Sequence, residues 1–246
     1  MSTAVDRLNM EQNERFSRTE QLLGKENMTR LANSCIAIFG LGGVGGYALE
    51  ALVRSGVGRF VLVDFDTVSE SNLNRQILAT VDTVGMLKTD AAELRAKSIN
   101  PDVGIRKVSE FVSAENIPSI LGDGQIDYVI DAIDTVTSKI VLIKIAKELG
   151  IPIISSMGTG NKLRPELFCV TDIQKTHTCP LARVMRKKLA EEGITHTDVL
   201  FSPETPIKLS VQDEENGRHP PASVSFVPSV AGLIIGGYVI KQISKL

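Results

Sequence analysis

The 246-residue chain predicts an α/β fold: a Rossmann-like, doubly wound, mostly parallel sheet with an antiparallel C-terminal extension. Two observations lead there. A short apolar run, "SCIAIF", breaks into "GLGGVGG" at residues 40–46 and then into a helical pattern. Beyond it, strand-length apolar runs alternate with longer helical segments as far as residue 160, which is how β-α-β units read in a sequence.

Residues 10–33 read as two short helical pieces broken near Gly24. "SCIAIFG" is a continuous apolar run stopped by glycine, which suits a strand buried on both faces. "VGGYALEALVRSGVG" is a helix with Leu49, Leu52 and Val53 on its apolar side, and "RFVLVDFD" is a second strand ending in two aspartates. Then come a helix in "GMLKTDAAELRAKSIN", a strand in "VGIRKVSEF" and a short helix in "AENIPSILGDG". "IDYVIDAID" is a strand, "TVTSKIVLIKIAKELG" a helix with a glycine stop, and "IPIISSMG" a strand. After Gly160 the rhythm weakens. "PELFCVTDI" reads as a strand, and "PLARVMRKKLAEEG" as a helix with proline at its first turn and glycine past its end. Residues 202–226, rich in proline, serine and charge, read as one long exposed loop.

Composition narrows the class. At 43% hydrophobic and 23% charged, with a net charge of -2, the chain has no global pull toward nucleic acid or anionic lipid. Its three cysteines, Cys35, Cys169 and Cys179, form no CxxC pair, so neither a disulfide framework nor a four-thiolate zinc site is supported. The polar N-terminal stretch lacks a signal-peptide core, and a cytoplasmic location is the expectation. The uncharged stretch 222–240 approaches membrane-spanning length, which would allow a peripheral or C-terminal membrane association. Ser223, Ser225, Pro228 and Ser229 confine its continuous apolar part to residues 230–240, and a buried core helix is the favoured reading.

Gly40-x-Gly42-x-x-Gly45 fits a dinucleotide fingerprint, and the helix N-terminus behind it offers free N–H groups to an anion. Asp64, closing the second strand, can accept hydrogen bonds from ribose hydroxyls. Up to here a dehydrogenase fits equally well. Asn72, Arg75 and Lys88 suit a polyphosphate better than a nicotinamide: Arg75 as a bidentate fork, Lys88 as a point charge. Asp131 and Asp134 fall at the C-terminal end of a strand, where open α/β sheets gather ligands. Asp134 is the better candidate for Mg²⁺, whereas Asp131 can orient a neighbouring backbone group.

In order and spacing, the chain resembles the adenylating superfamily of ubiquitin-activating enzymes and their bacterial relatives in molybdopterin and thiamine biosynthesis. The resemblance rests on R-F-S-R at 15–18, G-L-G-G-V-G at 40–45, D-F-D at 64–66, S-N-L-N-R-Q at 71–76, V-G-x-x-K at 84–88 and D-A-I-D at 131–134. It implies an ATP site in which Gly40, Gly42, Gly43, Gly45, Asp64 and Asp66 cradle the nucleotide, with Asp64 on the ribose. Asn72, Arg75 and Lys88 would meet the phosphates, Asp134 would hold Mg²⁺, and Arg18 would reach the ATP site of the other subunit of a homodimer. The paired zinc cysteines of the molybdopterin-type members are missing, and Cys179 has no readable base beside it.

The second half resembles the tRNA threonylcarbamoyladenosine dehydratases, through "DYVIDAIDTVTSKIVLI", "VTDIQKTHTCPLARVMRKKL", "VLFSPETP" and "ASVSFVPSVAGLIIGGYVIK". That family activates the carboxylate of a threonylcarbamoyl group on tRNA and then closes a ring. The resemblance implies modified tRNA rather than DNA as partner, a monovalent cation, and accompanying cysteine-desulfurase or sulfur-acceptor relay proteins. It divides one domain, 1–246, into N-terminal helices (1–33), a nucleotide-binding core (34–160) and a substrate and dimer portion (161–246). Arg183, Arg186, Lys187 and Lys188 place four cations on one helix, a cluster suited to RNA phosphates, although cations also favour a helix C-terminus. Lys139, Lys144 and Lys147 are candidates to extend that patch. Two other functions stay open: adenylation of the C-terminal glycine of a ubiquitin-like sulfur carrier, and an NAD-dependent oxidoreductase.

Overall fold

The computed structural model describes residues 4–122, 125–208 and 221–246, with side chains from residue 14 onward. Among these residues seven strands form one sheet: β1 (Cys35–Phe39), β2 (Arg59–Val63), β3 (Gly104–Val108), β4 (Tyr128–Asp131), β5 (Ile153–Ser156), β6 (Cys169–Asp172) and β7 (Asp198–Phe201). Their order is β3-β2-β1-β4-β5-β7-β6, and every pairing is parallel except β6 with β7. The antiparallel extension is therefore the single edge strand β6. The strand β7, absent from the expected elements, inserts parallel to β5.

Among the described residues, eight α-helices surround the sheet: α1 (Ala4–Leu23), α2 (Lys25–Asn33), α3 (Gly45–Arg54), α4 (Lys88–Ile99), α5 (Ile117–Leu121), α6 (Val136–Glu148), α7 (Pro180–Glu191) and α8 (Phe226–Ser244). The break between α1 and α2 falls at Gly24, as expected, but α1 is a 20-residue helix rather than a short piece. Two apolar layers cover the two faces. In β1, Ile36 and Ile38 join the layer of α3, α4 and α8, while Ala37 and Phe39 join that of α5, α6 and α7. This is the strand period of two, with both faces buried.

At 19 residues, α8 is longer than the expected apolar stretch, and it lies along α3. A Cβ at Gly232 would collide with the Val44 carbonyl, and one at Gly236 would come within 2.7 Å of Ala51 Cβ. Glycine at these two positions is what lets the helices approach. By length and composition α8 could cross a membrane, but 44% of its apolar window is buried within the protein.

The expected long exposed loop is corrected at its described ends, residues 209–220 lying outside the described residues. Ser202 is fully buried, and Lys162 Nζ donates to the carbonyls of Ser202 (3.2 Å) and Glu204 (2.7 Å). The Glu204 carboxylate accepts in return from the Leu163 and Arg164 N–H groups at 2.9 and 3.0 Å. Asn161, at φ 57°, accepts from Ile207 N–H and Ala222 N–H and donates to the Ala222 carbonyl, each at 2.8 Å. Asparagine is among the few residues that enter this left-handed region readily. Both arms of the segment are thus clasped to the turn after β5.

Candidate nucleotide site

Strand order reverses between β1 and β4, with β2 on one side of β1 and β5 beyond β4. Loops leaving the carboxyl ends of β1 and β4 must diverge there, opening the crevice where α/β sheets take ligands. A cavity of about 390 Å³ occupies it, within the usual range for small-molecule sites. Gly40, Gly42 and Gly43 of the glycine loop line it with Asp64, Asp66, Asn72, Arg75, Lys88 and Asp134, whereas Gly45 does not. Residues spread over nearly a hundred positions converge on one volume.

Two glycines are sterically required. Gly40 sits at φ 87°, where a Cβ would lie 2.6 Å from the Ala132 carbonyl oxygen, and a Cβ on Gly45 would run into the Gly40 carbonyl. A Cβ on Gly42 would meet only Gln76 Nε2, at 3.8 Å, so the loop leaves space over its backbone. Gln76 Oε1 is buried without a partner at the same cavity. An open backbone cradle beside an unsatisfied polar atom suits a polar ligand.

Asp64 braces the loop: its Oδ2 accepts from Leu41 N–H at 2.6 Å and its Oδ1 from Asp66 N–H at 2.9 Å. Burial raises its pKa, opposed by Lys88, whose Nζ lies 4.0 Å away, and by those two backbone donors. Lys88 is itself buried and donates to Asp66 at 2.6 Å, so its charge balances the carboxylate pair. Arg75 bonds only the Ser71 carbonyl (2.7 Å) and Asn74 Oδ1 (2.9 Å), both neutral. It is the cation at the cavity with no carboxylate partner among the described residues. Asn72 Oδ1 accepts from Ser69 N–H at 3.2 Å, leaving its amide Nδ2 for a ligand.

The two carboxylates of D-A-I-D separate. Asp131, not Asp134, ends β4; it is fully buried and accepts from Ser155 Oγ (2.6 Å) and Ile133 N–H (3.1 Å), beside Lys139 Nζ at 3.0 Å. Asp131 thus orients a backbone group, and Asp134, exposed on the turn beyond the strand, faces the cavity. Lys139 is fully buried on this network and cannot extend a surface patch.

The basic helix is also corrected. Arg186 is half-buried and donates to the Thr176 carbonyl and Oγ1 at 2.8 and 2.7 Å, so it anchors α7 instead of facing outward. Arg183, Lys187 and Lys188 are exposed, Lys188 lying 3.2 Å from Glu191. Cys179 is buried as the N-cap residue of α7, without a side-chain cap bond. Arg18 does not line the cavity. Its neighbours place it toward the opposite end of the strands: Arg15 bonds Asn100 Oδ1 (3.0 Å), and Phe16 abuts Gly56, both next to the amino ends of strands.

Sequence reasoning missed part of the lining: Phe65, Phe111, Thr159, Gly160, Pro221, Ser223 and Pro228. Thr159 and Gly160 follow the carboxyl end of β5, a position that could have flagged them. Nothing local marks Pro221, Ser223 or Pro228, which arrive by long-range packing of the chain's last quarter.

The reversal point, the glycine loop and the carboxylate closing β2 put the chain among nucleotide-binding α/β proteins of the Rossmann type. Its family is more specific. The model of the ThiF family matches residues 16–246, and the chain belongs to that family. It is 46% identical over 241 residues to a tRNA threonylcarbamoyladenosine dehydratase of Bacillus subtilis, covering 94% of each chain. With the protein of the same name from Escherichia coli it shares 37% identity over 199 residues, 78% of this chain and 74% of that one. The crystal structure of the E. coli dehydratase TcdA in complex with ATP superposes with a TM-score of 0.86 at 30% identity, covering 100% of this chain and 97% of that one.

Proposed function

We propose that the chain is an ATP-dependent tRNA threonylcarbamoyladenosine dehydratase, which adenylates the threonylcarbamoyl carboxylate and then closes it into a ring. The observation that carries this reading is the convergence of the glycine loop, Arg75, Lys88 and Asp134 on one cavity, in a chain whose likeness to a dehydratase covers 94% of its length.

The carboxylate attacks the α-phosphorus of ATP and pyrophosphate leaves. A nitrogen or oxygen of the substrate's own urea then attacks the acyl carbon, a urea proton is lost and AMP departs. No protein nucleophile is needed, in keeping with a buried Cys179. The protein's share is positioning and charge neutralisation. Arg75 is the principal phosphate-binding cation, since its present partners are neutral, and Lys88 holds the carboxylate pair that braces the loop. Asp64 retains lone pairs for a ribose hydroxyl beyond its two backbone bonds. Asp134 would hold Mg²⁺; the described residues contain no cluster of three His, Cys, Asp or Glu, so the ion would be shared with the phosphates. When bound, it supplies charge neutralisation to them.

Arg18, toward the amino ends of its own strands, would act in a partner's site within a homodimer, and the whole chain would serve as one adenylating domain. Arg183, Lys187 and Lys188 remain the candidate tRNA contacts on α7, without Arg186. Cytoplasmic placement fits a tRNA substrate. The test is release of AMP and pyrophosphate from ATP on modified tRNA, compared with a sulfur-carrier protein.

A further inference from the structure

A second cavity, of about 500 Å³, adjoins the nucleotide cavity, and Asp134, Thr159 and Gly160 line both. Its remaining walls include Met157, Gly158, Cys179, Leu181, Pro206 and Lys162. Most of this surface is apolar; Lys162 is the cation in it, and only 3% of that residue is exposed.

We propose that this cavity is the subsite for the carboxylate-bearing arm of the acyl substrate, and that Lys162 is the residue that binds it. The assignment rests on the dehydratase reading above and on the geometry around Lys162. An ammonium has three N–H groups. Lys162 gives two to the carbonyls of Ser202 and Glu204 at 3.2 and 2.7 Å. The nearby Glu204 carboxylate is occupied by the Leu163 and Arg164 N–H groups. Among the described residues one donor on this buried cation is left, at the wall of a cavity, where an unsatisfied charged donor is costly.

The local field points the same way. The first turn of α7 opens onto this wall through Cys179, Pro180 and Leu181, with no side-chain cap on its N–H groups, so the helix adds partial positive charge beside Lys162. Burial lowers the Lys162 pKa, and an entering carboxylate would relieve that penalty. Met157, Leu181 and Pro206 offer an apolar wall to a short aliphatic side arm such as the threonyl methyl. Because Asp134, Thr159 and Gly160 belong to both cavities, a carboxylate held here is next to the compartment assigned to ATP.

Two variants test the subsite. Lys162→Met removes the charge and keeps most of the volume. Gly158→Val fills the cavity and leaves Lys162 in place: an added Cβ meets only Cys179 Sγ at 3.7 Å and Leu181 Cβ at 3.8 Å, ordinary contacts. In steady-state assays with threonylcarbamoylated tRNA, both should raise the KM for that tRNA: Lys162→Met roughly ten-fold or more, the size expected for losing a charged hydrogen bond, and Gly158→Val by filling the space the arm would occupy. The KM for ATP should stay within about two-fold of wild type, because the ATP-lining residues are untouched. A KM for modified tRNA that is unchanged in both variants, while the wild type remains active, overturns the subsite and leaves the proposed function standing. A wild type inert on modified tRNA overturns the function, and the subsite with it.

Discussion

Asp131 and Lys139 show how a residue near a site can matter without touching the ligand. Both are fully buried, and with Ser155 and the Ile133 backbone they fold the turn that presents Asp134 to the cavity. Lys139→Met would strand a buried carboxylate, and we expect it to lower unfolding free energy by about 3–5 kcal/mol in urea titrations. Pairing it with Asp131→Asn should recover part of the loss, since no uncompensated charge then remains. A near-neutral single variant would remove the pair from this account. Legibility divides along the same line. The D-A-I-D pattern marked two carboxylates at a strand end and suggested a backbone-orienting duty for Asp131; that β4 stops at Asp131 and that Lys139, eight positions on, pairs with it depend on the fold.

At the scale of elements, the site depends on α8 lying against α3. The glycine loop feeds α3, and Pro228 at the start of α8 would be 3.1 Å from a Cβ on Gly43. Val44 and Pro228 both line the nucleotide cavity. Gly232→Val should therefore force the helices apart and destabilise the protein by at least about 1–3 kcal/mol, the usual overpacking cost, with weaker ATP binding by calorimetry. Gly237 has nothing within 4 Å of an added Cβ, so Gly237→Ala should stabilise α8 by about 0.5–1 kcal/mol and leave ATP binding alone. Equal effects from the two would show that the α3–α8 contact does not govern the site. The sequence indicated a core helix here, because its charge-free length is interrupted by polar residues. It could not indicate α3 as the partner, since glycine spacing on one helix does not name the helix it meets.

For the molecule as a whole, the order of strands and helices through β5 was readable, because each element is a local apolar or periodic segment bounded by turn residues. Beyond β5, the elements β6, α7 and α8 were still readable, but β7 was not: it has four residues and no flanking pattern, and its place between β5 and β6 is settled only by pairing. In the proposed homodimer, the position of Arg18 away from its own cavity has a direct consequence. Arg18→Ala and Arg75→Ala should each abolish most activity alone. Mixed and allowed to exchange subunits, they should recover about a quarter of wild-type turnover, since half the dimers are hybrids with one complete site. No recovery after verified exchange would mean that Arg18 does not act across the interface.

The most direct measurement is a reconstituted turnover with ATP and tRNA carrying threonylcarbamoyladenosine, following AMP, pyrophosphate and the mass of the modified nucleoside. The account predicts AMP and pyrophosphate in equal amounts, and a nucleoside lighter by one water, with no turnover on unmodified tRNA or on a sulfur-carrier protein. Turnover with the carrier protein instead, or an unchanged nucleoside despite bound ATP, would contradict it.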